Sequence, residues 1–126
     1  MIVRPDPLAY RHIAIVDTPV VPGTPLTLQS PGVTPSTTAK PDVVGLAITN
    51  VAASDNAAYI SYGILELSDW TAIIGTANLT PGAFYYLGVT NFLTSTPPTT
   101  GQLVEIGRAE SDTVFDINIK TPIFLS

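Results

Sequence analysis

The chain has no cysteine, one histidine, one tryptophan and one methionine, and only 12% of its 126 residues are charged. Each shortage removes a class of function. Without cysteine there are no disulfides, no thiolate metal ligands and no thiol nucleophile. A lone histidine, His12, leaves a Ser/His/Asp triad to rest on that residue with Asp17 or another carboxylate orienting it. No serine sits in a G-x-S-x-G setting. Glycoside hydrolysis needs two positioned carboxylates. Glu66 with Asp69, or Glu110 with Asp112, are pairs of the kind any chain with ten acids offers, and Glu110 and Asp112 flank a turn. No His/Cys ligand spacing, D-x-[DN]-x-[DN]-G loop or Gly-rich phosphate loop is present. The sequence therefore predicts no catalytic, cofactor or metal site.

Charge is scarce and unevenly placed. Globular domains are roughly a quarter charged, and a formal charge of -5 argues against binding nucleic acid or anionic lipid. Arg4 and Arg11 against Asp6 make the first twelve residues slightly basic on an acidic body. From Trp70 to Val104 there is no charged residue at all. A membrane span is excluded there as a helix by Pro81, Pro97, Pro98, Gly75, Gly82 and Gly88. The remaining reading is a neutral β-rich segment whose apolar surface meets a partner. The start, "MIVRPDPLAYRH", lacks the apolar stretch of a signal peptide, so the chain is expected to be made in a cytoplasm.

What is present is punctuation. Twelve prolines and nine glycines separate short runs of Val, Ile, Thr, Tyr and Phe, an all-β signature. In "TVFDINIK" (113–120) Phe115, Ile117 and Ile119 alternate with Asp116, Asn118 and Lys120, predicting a strand with one buried face. In "SDWTAIIGTA" one helical turn is expected, capped by Ser68 with Asp69 near its start.

The chain also matches itself. "TPSTTAKPDVVGLA" (34–47) aligns without a gap on "TPPTTGQLVEIGRA" (96–109); "VPGTPLTL" (21–28) aligns on "TPGAFYYL" (80–87); "SDNAAYISY" (54–62) aligns on "SDTVFDINI" (111–119). The order is the same in both halves: Pro-Gly turn, strand, Thr/Pro loop, Gly-x-Ala strand, Ser-Asp turn, alternating strand. Two pseudo-repeated lobes, small sandwiches or barrels, are expected near 22–67 and 81–125, within one β domain over 12–126 that follows an extended N-terminal arm, 1–11. Pro22-Gly23 and Pro81-Gly82 predict type II turns. The aromatic run Phe84-Tyr85-Tyr86 falls where the first half has Pro25-Leu26-Thr27, so it belongs to one half only.

Trp70, Phe84, Tyr85, Tyr86 and Phe92 are the candidates for a subunit or lobe interface, and Arg4, Tyr10 and Arg11 for docking onto a neighbouring protein, with Pro5 and Pro7 keeping the arm extended. Under a different reading Trp70, Tyr85, Tyr86 and the Thr/Pro loops would stack and bind a glycan.

The second half, with its Pro-Gly turn, Tyr-Tyr-Leu strand, Thr/Pro loop before Gly101-Gln102, Ile-Gly-Arg-Ala strand and "VFDINI" ending, resembles a β-module of tailed-bacteriophage virion proteins. That module occurs in capsid decoration (cement) proteins, head fibres and tail fibres. The resemblance implies a non-enzymatic subunit on the outer surface of a virion, often trimeric, whose partner is the major capsid protein and which needs no nucleic acid, membrane or cofactor. A receptor- or glycan-binding fibre module is the alternative. No coiled-coil or collagen-like shaft of a long fibre is present.

Overall fold

The structure, a computed structural model, describes residues 1–125. Its described residues form thirteen short strands, one 3₁₀ turn (Pro7–Ala9) and one helical turn, α1 (Thr71–Ile74). The strands are β1 (Ile2–Arg4), β2 (His12–Ile15), β3 (Pro25–Gln29), β4 (Gly32–Pro35), β5 (Val43–Ala47), β6 (Asn56–Ile60), β7 (Tyr62–Glu66), β8 (Phe84–Leu87), β9 (Leu93–Thr94), β10 (Gly101–Leu103), β11 (Glu105–Ala109), β12 (Val114–Asn118) and β13 (Ile123–Leu125). The all-β expectation therefore stands.

The strands build three antiparallel sheets: a six-stranded sheet in the order β1-β7-β12-β11-β8-β9, a five-stranded sheet in the order β2-β6-β5-β3-β4, and a two-stranded ribbon, β10-β13. A parallel bridge between Val16 and Val33 joins the two outer strands of the five-stranded sheet, so that sheet closes on itself. Closure satisfies edge groups that would otherwise invite pairing with another chain.

The pleat then assigns the cores. On β5 and β6, Ala47, Ala57 and Tyr59 face one way, into a small cluster with Val16, Val20, Leu26 and Val33. Their neighbours Leu46, Ile48 and Ile60 face the other way and join a larger cluster with Leu65, Trp70, Ile73, Tyr85, Leu87, Ile106, Phe115 and Ile117. The first cluster fills the closed sheet. The second glues its outside to the inner face of the six-stranded sheet.

Both Pro-Gly turns form as expected. Thr24 N–H donates to Val21 O (3.2 Å) and Ala83 N–H to Thr80 O (3.1 Å). Gly23 and Gly82 take φ of 96° and 82°, which a side chain would resist. The turn before α1 is capped differently from expectation. Asp69, not Ser68, accepts from Thr71 N–H (2.9 Å), because an Asx side chain reaches two residues on. That hydrogen bonding, from the Thr71 side chain first and its backbone second, lowers the Asp69 pKa below its ordinary value.

The N-terminal segment departs from expectation. Residues 1–11 do not extend away as an arm. β1 pairs with β7 at the edge of the six-stranded sheet, with Val3 opposite Leu65, and Val3 and Tyr10 pack against the larger core.

Phe115 is the centre of that core. It is fully buried, 5.7 Å from the Trp70 ring and 5.9 Å, edge-on, from Tyr85. Trp70 Nε1–H donates to Thr113 O (3.0 Å), which satisfies the indole inside the core. We expect Phe115→Ala to cost about 3–5 kcal/mol. Phe84→Ala, on the opposite face of the same sheet, should cost about 1 kcal/mol or less. Denaturant unfolding of the two variants checks the assignment of faces; similar losses would contradict it.

Candidate functional site

The six-stranded sheet buries one face and leaves the other open. Directly paired residues share a face, so its register spells out the open surface. One row runs Arg4, Ile64, Asp116, Arg108, Phe84 across five strands. The adjacent row holds Ile2, Glu66 and Val114. Tyr86, half-buried, follows Phe84 on the same face, opposite Glu105.

This geometry divides the aromatic run. Tyr85 points inward, is 2% exposed, and its hydroxyl accepts from Thr80 N–H (2.9 Å). Phe84 points outward and is 47% exposed. The Arg108 guanidinium lies over its ring, 5.8 Å from the centroid, and Arg108 Nε–H donates to Gly82 O (3.2 Å). The Pro-Gly turn thus holds the arginine that covers the phenylalanine. Arg4, largely exposed, makes a long ion pair with Glu66 (3.7 Å).

The sequence candidates fall into four groups. Arg4, Phe84 and Tyr86 share the open face. Trp70 and Tyr85 are buried in the core that both sheets share, so neither is available to a second subunit or a sugar. That removes the intersubunit and glycan-stacking readings for these two and leaves the lobe-junction one, since the cluster also holds Leu46 and Ile60 of the five-stranded sheet. Their side chains are used up by Phe115. Phe92 is half-buried and packs against the same core. Tyr10 also folds inward. Its ring stacks on Tyr62 (4.7 Å between centroids) and its hydroxyl donates to Pro5 O (2.8 Å), so it latches the N-terminal segment instead of reaching out. Arg11 is exposed, and its N–H bonds Pro7 O (2.8 Å).

Sequence reasoning missed Arg108, Ile64, Asp116 and Glu66 as members of this surface. A signal for Asp116 was there in the alternation of "VFDINI". Arg108 and Ile64 required the cross-strand register, which joins segments far apart in the chain.

The polar groups nominated for chemistry are dispersed. His12 is exposed and stacks on Tyr59 (5.1 Å), while Asp17 accepts from Gln29 Nε2–H (2.7 Å). Among the described residues no three His, Cys, Asp or Glu side chains converge to hold a metal ion. No helix among them is long and apolar enough to cross a membrane. Two shallow grooves, of 170 and 360 Å³, flank the Gly88–Phe92 loop. Ser36 to Thr38 of the first Thr/Pro loop line one, and Thr96 to Thr99 of the second line the other.

The Tyr10 latch has a pH signature. Burial first, then Tyr62 and Asp6, raises the Tyr10 pKa above its ordinary 10.0. The folded state keeps this proton longer than the unfolded chain does. The stability it carries is therefore complete below the ordinary value and lost as pH rises through the folded value. In a tyrosinate absorbance titration, Tyr10→Phe should lose a late-ionising component that the wild type shows; unchanged late ionisation in that variant would contradict the assignment. Compared with protein-family models, curated proteins and solved structures, the chain matches none of them.

Proposed function

We propose that the chain is a non-enzymatic structural subunit of a bacteriophage virion, a decoration protein that sits on the outside of a capsid shell and stabilises it as a homotrimer. The observation that carries this reading is the open face of the six-stranded sheet. It presents Ile2, Tyr62 and Phe84 at 49%, 54% and 47% exposure, interleaved with Arg4, Arg108, Asp116 and Glu66. Such a mixed apolar and charged sheet surface suits docking on another protein, since arginine and aromatics are enriched in such contacts. The resemblance of the second half to virion β-modules supports the choice of partner, the major capsid protein.

We also propose that the two larger sheets descend from one duplicated unit. Their strand orders, β2-β6-β5-β3-β4 and β7-β12-β11-β8-β9, correspond strand for strand. Gly23 N–H bonds Ala47 O and Ala47 N–H bonds Thr24 O, as Gly82 N–H bonds Ala109 O and Ala109 N–H bonds Ala83 O. Each unit breaks register at the same place, around Val44 and around Ile106. In each, a glycine lies under an aromatic ring. A Cβ on Gly45 would meet Tyr59 at 2.7 Å, and one on Gly107 would meet Phe115 at 2.8 Å. This equates Tyr59 with Phe115, one residue away from the gapless match of the Ser-Asp segments. It also begins the units at β2 and β7, so β7 goes with the second half. A trimer of such chains would set six related units around a threefold axis.

The grooves beside the Thr/Pro loops favour a second reading, a glycan-binding module of a fibre tip, in which hydroxyl-rich walls take the place of the buried Trp70 and Tyr85.

Binding to purified empty shells separates the two. The wild-type chain should bind, and Arg108→Glu should weaken binding roughly tenfold or more while leaving the fold intact. Point variants are preferred to deleting residues 1–11, because deletion would uncover β7 and the core beneath Val3. Mass spectrometry of virions before and after mild chaotrope should find the chain abundant on intact particles and the stripped shells fragile. Binding to host-cell glycans with no affinity for shells would favour the fibre reading instead.

A further inference from the structure

The β10-β13 ribbon continues the β11-β12 ladder past the end of the six-stranded sheet. Lys120 N–H bonds Glu105 O (2.9 Å) at its root, and beyond that point Gly101, Gln102 and Leu103 pair with Leu125, Phe124 and Ile123. Successive residues of a strand point to opposite faces, so the exposed Ile123 (55%) and Phe124 (72%) leave apolar side chains on both faces of the ribbon. A two-stranded ribbon is marginal in water by itself; Gln102, Leu103 and Leu125 are only half-buried, and among the described residues its outer edges pair with no other strand.

The same end of the molecule carries Val89. Leu87 N–H bonds Val104 O (2.9 Å), which sets the end of β8 beside the root of β10, and Val89 follows two residues on. Val89 (82%) and Phe124 (72%) are the most exposed large apolar side chains among the described residues. The segments that build this end carry no charge of their own. The neutral tract from Trp70 to Val104 supplies α1, β8, β9, β10 and their connecting loops, and β13 is uncharged as well. Glu105 and Lys120 stand at the root, opposite in sign and hydrogen-bonded through their backbones, and Lys40 is bridged to Thr37, which lines one groove together with Val89.

We propose that this end is a self-association surface, in which a second copy of the chain covers Ile123, Phe124 and Val89. The identity of the occupant follows from charge. Two bodies of charge -5 repel over most of their surfaces. An end that carries no charge is a place where they meet without like charges facing each other. An uncharged apolar end can pack against its own copies around a symmetry axis, and charges are depleted in the centres of such contacts. Three other exposed apolar residues have charged company: Ile2 beside Arg4 and Glu66, Phe84 beneath Arg108, and Leu8 on the loop anchored by Asp6. The inference deepens the virion-subunit reading by naming the surface through which copies meet, and it rests on that reading only for the expectation that they meet.

Sedimentation velocity of the full chain at micromolar concentration tests it. The wild type should sediment as an oligomer, and Phe124→Lys and Val89→Lys should sediment with the mass of one chain and an unchanged far-UV circular dichroism spectrum. Because the protein has no cysteine, Phe124→Cys offers a second readout: oxidation should link chains through that position alone. A monomeric wild type, Phe124→Lys oligomers of wild-type mass, or a monomeric wild type that floats with neutral phospholipid vesicles would each overturn the proposal. Shell binding by a monomeric wild type would sink this surface and leave the virion reading standing. Oligomers that Phe124→Lys dissolves, without shell binding, would do the reverse.

Discussion

The packing of Phe115 over Gly107 is the contact on which the second half of the molecule depends. A Cβ on Gly107 would lie 2.1 Å from Asp116 O and 2.8 Å from the Phe115 ring, so only glycine lets β11 and β12 close. With the ring in place, Trp70 and Tyr85 pack against it from other elements and the inner face of the six-stranded sheet is decided. The pleat then has no freedom left. Tyr85 inward forces Phe84 and Tyr86 outward, and Phe115 inward forces Asp116 outward. The open face is a consequence of the core, and a slip of one residue would exchange them.

That dependence explains what the sequence could and could not disclose. Local signals were legible. Type II turns follow from Pro-Gly, and the alternation of 113–120 correctly put Phe115 and Ile117 in the core, with Ile119 packed against it. Composition and punctuation were enough for the all-β class. The aromatic run was harder, because Phe84-Tyr85-Tyr86 has no polar residue to mark its outer side; only the glycine opposite Tyr85 on β11 settles which ring is buried. The N-terminal segment was least legible. Its prolines suggest an extended arm, and an extended strand is what forms, but its partner β7 is about sixty residues away. Nothing local reports that pairing. Closure of the five-stranded sheet through Val16 and Val33 is hidden for the same reason.

The N-terminal fold-back changes how the charge asymmetry is understood. Arg4 was set apart as part of a basic arm, yet β1 places it at one end of a row that contains Asp116 and Arg108 and beside Glu66. The arm's basic character is partly neutralised by the body it lies on. Arg108, held over Phe84 by the Gly82 carbonyl, is the more prominent cation on that face. An arginine so held loses less side-chain freedom on docking than a free one would, and less of its binding energy is spent on ordering it.

Two kinds of surface therefore coexist on one small chain. The sheet face mixes arginines, carboxylates and aromatics, so under the proposed reading its attraction for a partner is electrostatic in part. Dissolved salt screens charges over about 8 Å at physiological ionic strength, so that attraction weakens as salt is added. The segments of the ribbon end carry almost no charge, and the proposed burial of Ile123, Phe124 and Val89 draws on the hydrophobic effect, which sulfate and phosphate strengthen. A subunit that must recognise an unlike protein and also its own copies gains from this separation. Repulsion between bodies of charge -5 keeps copies from meeting at random, and the neutral end is where that repulsion is least. The scarcity of charge from Trp70 to Val104, first met as a compositional oddity, is on this argument what directs one copy to another.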